Sequence, residues 1–380
     1  LSILQEEIDE LAGLLKIVDV VEAGWPKDIA APLNELYGVA IDEAVAERQL
    51  LARGYSPGRR YDSAAFMTAQ KTLYGNVEPD LFWFSMRELV KKADMGVLEQ
   101  DTSSSARELI ALFARAEHEA GAEHPAEIHP TVRALFEPLL KIDEITKAIK
   151  PRPDGLIDMV DMFTAALRIY KVQGWRVVHR PTAPNLAVNK AAREVIVGDG
   201  HRFLPTKTAL TKTFHEIGVH VQRSHSRSSV ALYNAGLPHY RTFEEGLACV
   251  MADIQQSEVH VNGQRLYAGI GLAIGVDGTP RDFRGVFELL WRIDVTKGDD
   301  PLQARKVAYK RCRRLFRGAH TATKGNCHIR DKAYVEGIFA VLGFFARTPL
   351  TVQLAADLLS YQFTPTDAAQ QKLITFIKQK

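Results

Sequence analysis

The chain has 380 residues, 46% of them hydrophobic, which is enough apolar material for a substantial core and more than one simple domain requires. A formal charge of +2 gives no general electrostatic reason to bind nucleic acid or a membrane surface, and no run approaches the roughly 18 apolar residues of a membrane span. Three cysteines, Cys249, Cys312 and Cys327, form no CxxC pair, which argues against a disulfide scaffold and fits a reducing compartment.

The opening stretch, LSILQEEIDELAGLLKIVDVV, mixes acidic and apolar residues at helical spacing without a basic start, so the expectation is a cytoplasmic protein without a signal peptide. Apolar residues at three- and four-residue steps predict helices over 3–22 and 30–53, separated by AGWPKD. RGYSPGRRYD (53–62) reads as a loop, and the serines of QDTSSSARELIALFARAEHEAG (100–121) as a helix start. KPRPDG (150–155), with its prolines and glycine, is the best linker candidate. A helical pattern over 156–173 should stop at Gly174. The texture then changes. WRVVHR (175–180), LAVN (186–189) and REVIVG (193–198) are short and rich in valine and isoleucine, so strands are expected, with a hairpin turn near Lys190–Ala192. Helical texture resumes at Thr206 and continues almost to Lys380. The predicted fold class is mainly α (α+β), with one small sheet just ahead of the helix that carries the most informative motif.

That motif is TFHEIGVH, in which His215, Glu216 and His220 spell H-E-x-x-x-H, one residue longer than the H-E-x-x-H of helical zinc peptidases. Residues four apart on a regular helix differ by about 40° in direction, so both imidazoles can reach one ion; five apart gives roughly 140° and points them away from each other. The pair can share a metal only if the helix absorbs the extra residue as a π-bulge between Glu216 and His220. Gly218 lies in that interval, where a missing Cβ makes the distortion cheaper. A catalytic zinc takes three protein ligands and keeps a fourth position for water. TFEEGLACVMADI (242–254) offers Glu244 and Glu245 at a helix start, and only one of them can point at the histidine helix. Acidic residues also suit any first helical turn, so spacing alone leaves both the choice and the role open.

FHEIGVHVQ followed by FEEGLA resembles the tyrosine/phenylalanine carboxypeptidase-like family, whose bacterial members are named for a QEGLA motif and whose animal members include the microtubule-associated tyrosine carboxypeptidase. TLYGNVEPD (72–80), RRLFRG (313–318) and GNCHIRDKAYVEG (325–337) resemble further segments of that family, so the likeness runs over roughly 50–345. Two departures touch substrate preference rather than the metal set: Glu244 stands at the Q of QEGLA, and Arg330–Asp331 at a Lys–Asp pair. The resemblance implies that His215, His220 and Glu245 hold one Zn2+ per chain, with Glu216 as general base and Glu244 in the non-ligand glutamine position. It implies a zinc metallocarboxypeptidase that removes a C-terminal aromatic residue, tyrosine or phenylalanine, from peptides or proteins. A helical N-terminal lobe (1–150) and a zinc-binding catalytic lobe (151–380) are expected, or one integrated domain.

Such an enzyme must hold a free C-terminal carboxylate, for which a bidentate arginine is well suited. Arg314 and Arg317 are the substrate-binding candidates, and Tyr334 can donate to the carboxylate or the oxyanion, although RKVAYKRCRRLFRG (305–318) is also what a solvated basic helix looks like. The small sheet could pair an edge strand with an extended substrate. Many helical zinc peptidases orient a histidine with an aspartate one turn after the ligand glutamate. Here that position is Cys249 and the nearest acid is Asp253, so the orienting residue stays unassigned. His225 reads as a solvated polar residue and Cys327 as a small packed one. Two alternatives remain: a dipeptidyl-peptidase-III-like zinc aminopeptidase, which shares H-E-x-x-x-H but carries E-E-C-x-A-E where this chain has EEGLAC, and a non-catalytic binding homologue.

Overall fold

A computed structural model describes residues 27–54, 61–119, 121–123, 127–225, 236–256 and 259–379. The helix expected over 3–22 lies outside them, as do most of the AGWPKD break and most of the 53–62 loop. The chain is mainly helical, with small sheets ahead of the motif helix, as the sequence predicts. In chain order the elements are α1 (Lys27–Gly54), α2 (Ser63–Tyr74), α3 (Pro79–Val90), α4 (Met95–Glu99), α5 (Ser104–His118), α6 (Pro130–Leu139) and α7 (Ile142–Ala148). Then come β1 (Leu156–Asp158), α8 (Met159–Ile169), β2 (Arg176–His179), β3 (Ala187–Asn189), β4 (Glu194–Val197), β5 (Phe203–Pro205) and α9 (Thr206–Thr213). A π-helical segment (Phe214–Val221) leads to α10 (Gln222–His225), followed by α11 (Tyr240–Ala252), α12 (Gln264–Ile274), α13 (Phe283–Val295), α14 (Pro301–Leu315), α15 (Ala333–Arg347), α16 (Val352–Ser360) and α17 (Ala368–Gln379). Side-chain caps explain many of the starts: Ser103, expected from the serine run, accepts from Ala106 N, and Asp62, Asp158, Asp282 and Asp300 act in the same way.

Contacts divide the chain into two compact units. The first comprises the described residues of 37–124 and 261–336, the second those of 25–36, 125–260 and 337–380. In the first unit α3 and α12 pack so closely that a Cβ on Gly271 would sit 2.1 Å from the Phe82 ring. Arg281 is buried there between Asp277 and Glu108, satisfying charges that would otherwise be costly to desolvate.

The second unit holds the sheets and the motif helix. β4 is central, parallel to β2 and antiparallel to β3, with Val188 opposite Val195. All of β4 is buried, and its one polar side chain, Glu194, accepts from Arg176 and Arg180 at 2.6 Å each. The β3–β4 turn falls at 190–193 as expected, fastened by Asn189 Oδ1 accepting from Ala192 N at 3.1 Å and by Arg193 at φ 51°. KPRPDG lies within this unit as a tight turn, with Gly155 N donating to Arg152 O at 2.9 Å.

Two expectations need correction here. Residues 156–158 are not helical but form β1, antiparallel to β5, because Asp158 ends the strand and caps α8 through Val160 N. Helix α8 ends at Ile169, not at Gly174. Lys171 takes the left-handed conformation (φ 56°), and the donations Lys171 N to Arg168 O and Val172 N to Leu167 O close a Schellman motif.

Helices α11 and α15 touch backbone to backbone at Gly246 and Gly337, where a Cβ on Gly246 would lie 2.0 Å from Gly337 C and O. Gly246→Ala should therefore lose about 1–3 kcal/mol or more in denaturant unfolding. Gly38→Ala, with nothing within 4 Å of its Cβ, should be neutral or gain about 0.5–1 kcal/mol. If the two variants unfold alike, the close helix crossing is wrong.

Candidate metal centre

From Thr206 to Thr213 the chain is α-helical; from Phe214 to Val221 it winds as a π-helix, the wider turn that five-residue histidine spacing requires. Phe214, Ile217, Val219 and Val221 are almost wholly buried and anchor this turn in the core. Gly218 contributes space rather than unusual backbone. A Cβ there would press on Leu140 Cδ2 at 3.1 Å and on Tyr170 Oη at 3.2 Å, and that hydroxyl is itself fixed by donating to Leu140 O at 2.6 Å.

The consequence is convergence. His215 Nε2 and His220 Nε2 lie 3.3 Å apart, with their rings at 72°. Glu245 Oε2, from α11, lies 3.9 Å from the first and 3.7 Å from the second. Ligands about 2.0–2.2 Å from a tetrahedral ion stand about 3.4 Å from one another, close to these separations. Glu245 Oε2 is also buried without a hydrogen-bond partner, an expensive state that a cation would relieve. The donor set and its geometry therefore fit a metal ion. Among the described residues no other group of three or more His, Cys, Asp or Glu gathers in this way.

The two adjacent glutamates have different surroundings. Glu245 faces both imidazoles. Glu244, one helical step of about 100° away, is buried and faces the other edge of His220, with Oε1 3.0 Å from Nδ1. The same oxygen accepts from Lys190 Nζ at 3.0 Å, and Oε2 accepts from Gln362 Nε2 at 3.1 Å. Arg223 Nε stands 3.7 Å away, its guanidinium fully buried and donating to Tyr361 O and Phe363 O. His215 faces the backbone of Ala248 on α11. Sequence reasoning missed Lys190, Arg223 and Gln362, and treated Glu244 as passive. The one signal available was the carboxylate of Glu244 at the place where the resembled QEGLA motif has an amide.

Burial, then the neighbouring His220, holds His215 well below the ordinary imidazole range. Burial also pulls on His220, but Glu245 and then Glu244 outweigh it and lift it to about 9. Glu216 is raised, chiefly by burial. Burial opposes the ionised form of Glu244 too, yet Lys190 and His220 prevail and hold it far below the carboxylate range. Burial, then Glu245, pushes the Cys249 thiol up. Asp253 accepts from His260 N at 2.8 Å and pairs with that imidazole rather than with the motif histidines. His225 ends α10 and is not part of the gathered group.

Arg314, Arg317 and Tyr334 belong to the first compact unit, whereas the metal group belongs to the second. Arg314 forks onto buried Asp331 with both contacts at 2.8 Å, and Tyr334 Oη is 3.5 Å from its guanidinium. Arg317 is less committed, 3.6 Å from Asp331 and 3.4 Å from His328 Nδ1. Burial and then Arg317 depress His328 to about 3, so that it accompanies these cations as a neutral ring. Cys327 is fully buried and its thiol is pushed up by burial, as a packed residue rather than a nucleophile.

A helix-borne histidine pair completed by a glutamate from the next helix is the His2Glu donor set of a metallopeptidase centre. Residues 155–358 match the family described as Microtubule-associated tyrosine carboxypeptidase, and the chain belongs to that family. The match takes in both sheets, the π segment, α11 and the Arg314–Tyr334 region, and leaves TLYGNVEPD outside. No curated protein and no solved structure matches the chain.

Purified protein should carry about one divalent metal per chain, as three protein donors around one open position imply. His215→Ala, His220→Ala and Glu245→Gln should each lose most of it by elemental analysis after dialysis. Full metal retained by Glu245→Gln but lost by Glu244→Gln would reverse the reading of the two glutamates.

Proposed function

We propose that this protein is a zinc metallocarboxypeptidase that removes a C-terminal tyrosine or phenylalanine from peptides or proteins. The observation that carries the reading is the convergence of His215, His220 and the unpartnered Glu245 Oε2 around one point, with Glu216 on the same π turn. The family supplies the reaction class. His215, His220 and Glu245 would hold the ion, with imidazole and carboxylate donors that suit zinc. When bound, zinc supplies Lewis acidity and brings the pKa of a coordinated water toward about 7.

The remaining chemistry falls to side chains of this chain. Glu216, whose affinity for protons is raised by burial, takes the proton released as water attacks the peptide carbonyl and returns it to the leaving amine. β3 is an edge strand of its sheet and lies against the π segment, a placement that supports pairing with an extended substrate. Arg317, with Arg314 and Tyr334, is the proposed receptor for the free terminal carboxylate; Arg317 has the spare donors, since Arg314 is occupied by Asp331. The three buried free cysteines fit a cytoplasmic site of action, and among the described residues no helix is long and apolar enough to cross a membrane.

Peptides ending in free tyrosine or phenylalanine should lose only that residue, as read by mass spectrometry. Amidating the terminus should suppress cleavage steeply. Glu216→Gln should keep its zinc and lose at least about 100-fold in turnover. Arg317→Ala should raise KM for free-carboxylate substrates more than it lowers kcat. Release of N-terminal dipeptides would favour the aminopeptidase reading, and inert zinc-loaded protein would favour a binding role.

A further inference from the structure

The geometry points to Glu244 as the positioning residue of His220: a buried carboxylate that fixes which ring nitrogen faces the metal, and is itself held by Lys190, Gln362 and Arg223. This rests on the metal-centre reading above and adds a residue to it. A neutral imidazole can offer Nε2 to a cation only if its proton sits on Nδ1, and the partner of Nδ1 decides this. Glu244 Oε1 stands 3.0 Å from that nitrogen, and an ionised carboxylate can only accept, so it selects the Nδ1–H tautomer.

The carboxylate is surrounded by donors drawn from three parts of the chain. Lys190 follows edge strand β3, Arg223 follows the π segment, and Gln362 comes from the stretch after α16. Lys190 Nζ is also anchored by Tyr240 Oη at 2.9 Å, and Gln362 Nε2 reaches Ser224 Oγ at 3.2 Å. Those contacts tie both oxygens back, away from the Nε2 side on which Glu245 stands. A glutamine amide at 244 would offer one oxygen where the carboxylate offers two, and would remove the negative charge that Glu244 places beside Lys190 and Arg223. His215 provides an internal control, since the Glu244 carboxylate bonds His220 and not His215.

The test uses the full chain, stripped with a chelator and titrated with zinc against a chromogenic competitor. Glu244→Met keeps the length and removes the acceptor; Glu244→Gln, nearly isosteric, keeps one acceptor and secures a folded comparison. Glu244→Met should weaken zinc about 10- to 100-fold, with Glu244→Gln and Lys190→Met falling between it and the wild type, and all should still saturate at one zinc per chain. Long-range 1H–15N correlation spectra of the stripped proteins, recorded at a pH above about 9 where His220 is neutral, should show His220 as Nδ1–H in the wild type and as a tautomer mixture in Glu244→Met, with His215 unchanged. A merely structural residue would move stability but not that tautomer. Zinc affinity within twofold of wild type in both Glu244 variants, or an unaltered His220 tautomer, overturns the proposal. If His215→Ala also binds zinc like the wild type, the metal-centre reading itself fails.

Discussion

Two imidazoles five residues apart can reach one point only if the helix between them is wound one residue wide, and the second compact unit is arranged around that constraint. A π turn gives up regular i→i+4 hydrogen bonding and persists only where the surroundings hold it. Here they do so from both sides. Phe214, Ile217, Val219 and Val221 bury the apolar flanks of the turn, and Gly218 lets Leu140 and the Tyr170 hydroxyl approach where any side chain would push them off. Tyr170 is the C-terminal cap of α8, whose left-handed Lys171 turns the chain toward β2. The irregular end of one helix thus supports the irregular middle of another.

Three glutamates within thirty residues, Glu244 buried and Glu216 and Glu245 half-buried, then acquire different chemistry from their surroundings. Glu244 is surrounded by donors and stays ionised. Glu216 has burial as its dominant influence and binds protons more readily. Glu245 has an oxygen that no donor among the described residues satisfies, directed at two imidazole nitrogens. Buried carboxylates are normally paired or costly. One that is paired, one that is biased toward protonation and one that is left open match the proposed roles of an orienting group, a base and a ligand. Separating like groups by environment is how a single site sustains several proton-dependent roles.

Much of this was legible in the sequence, and the reasons differ by element. The β3–β4 hairpin and the restart of helix at Thr206 follow from β-branched runs and a change of period, both local signals. The π turn followed from the spacing together with the requirement that both imidazoles reach one ion, which no regular helix satisfies. β1 and β5 were not legible: each is three residues long, and Leu156–Asp158 runs into α8 without a break because Asp158 serves both strand and cap. The end of α8 was misplaced because a lysine, not the nearby glycine, took the left-handed position. Between Glu244 and Glu245 spacing offered no choice, and their expected place in a first helical turn was wrong, because α11 already begins at Tyr240. Gln362 lies 118 residues from Glu244, and no periodicity connects them.

The metal group itself comes from two neighbouring stretches, 215–220 and Glu245, so the donors are local in sequence. The groups that aim them are not. Lys190 arrives from the end of an edge strand and Gln362 from the C-terminal region. A donor set written in a short motif can therefore be present while its alignment depends on distant parts of the fold. Ligand identity sets which ion can bind; the orientation of each ligand, supplied by its outer partners, sets how well it does so. In this chain Glu244 gathers such partners on both of its oxygens. Lys190 and Arg223 supply two positive charges beside the carboxylate, so the anion and its compensation belong to one electrostatic unit.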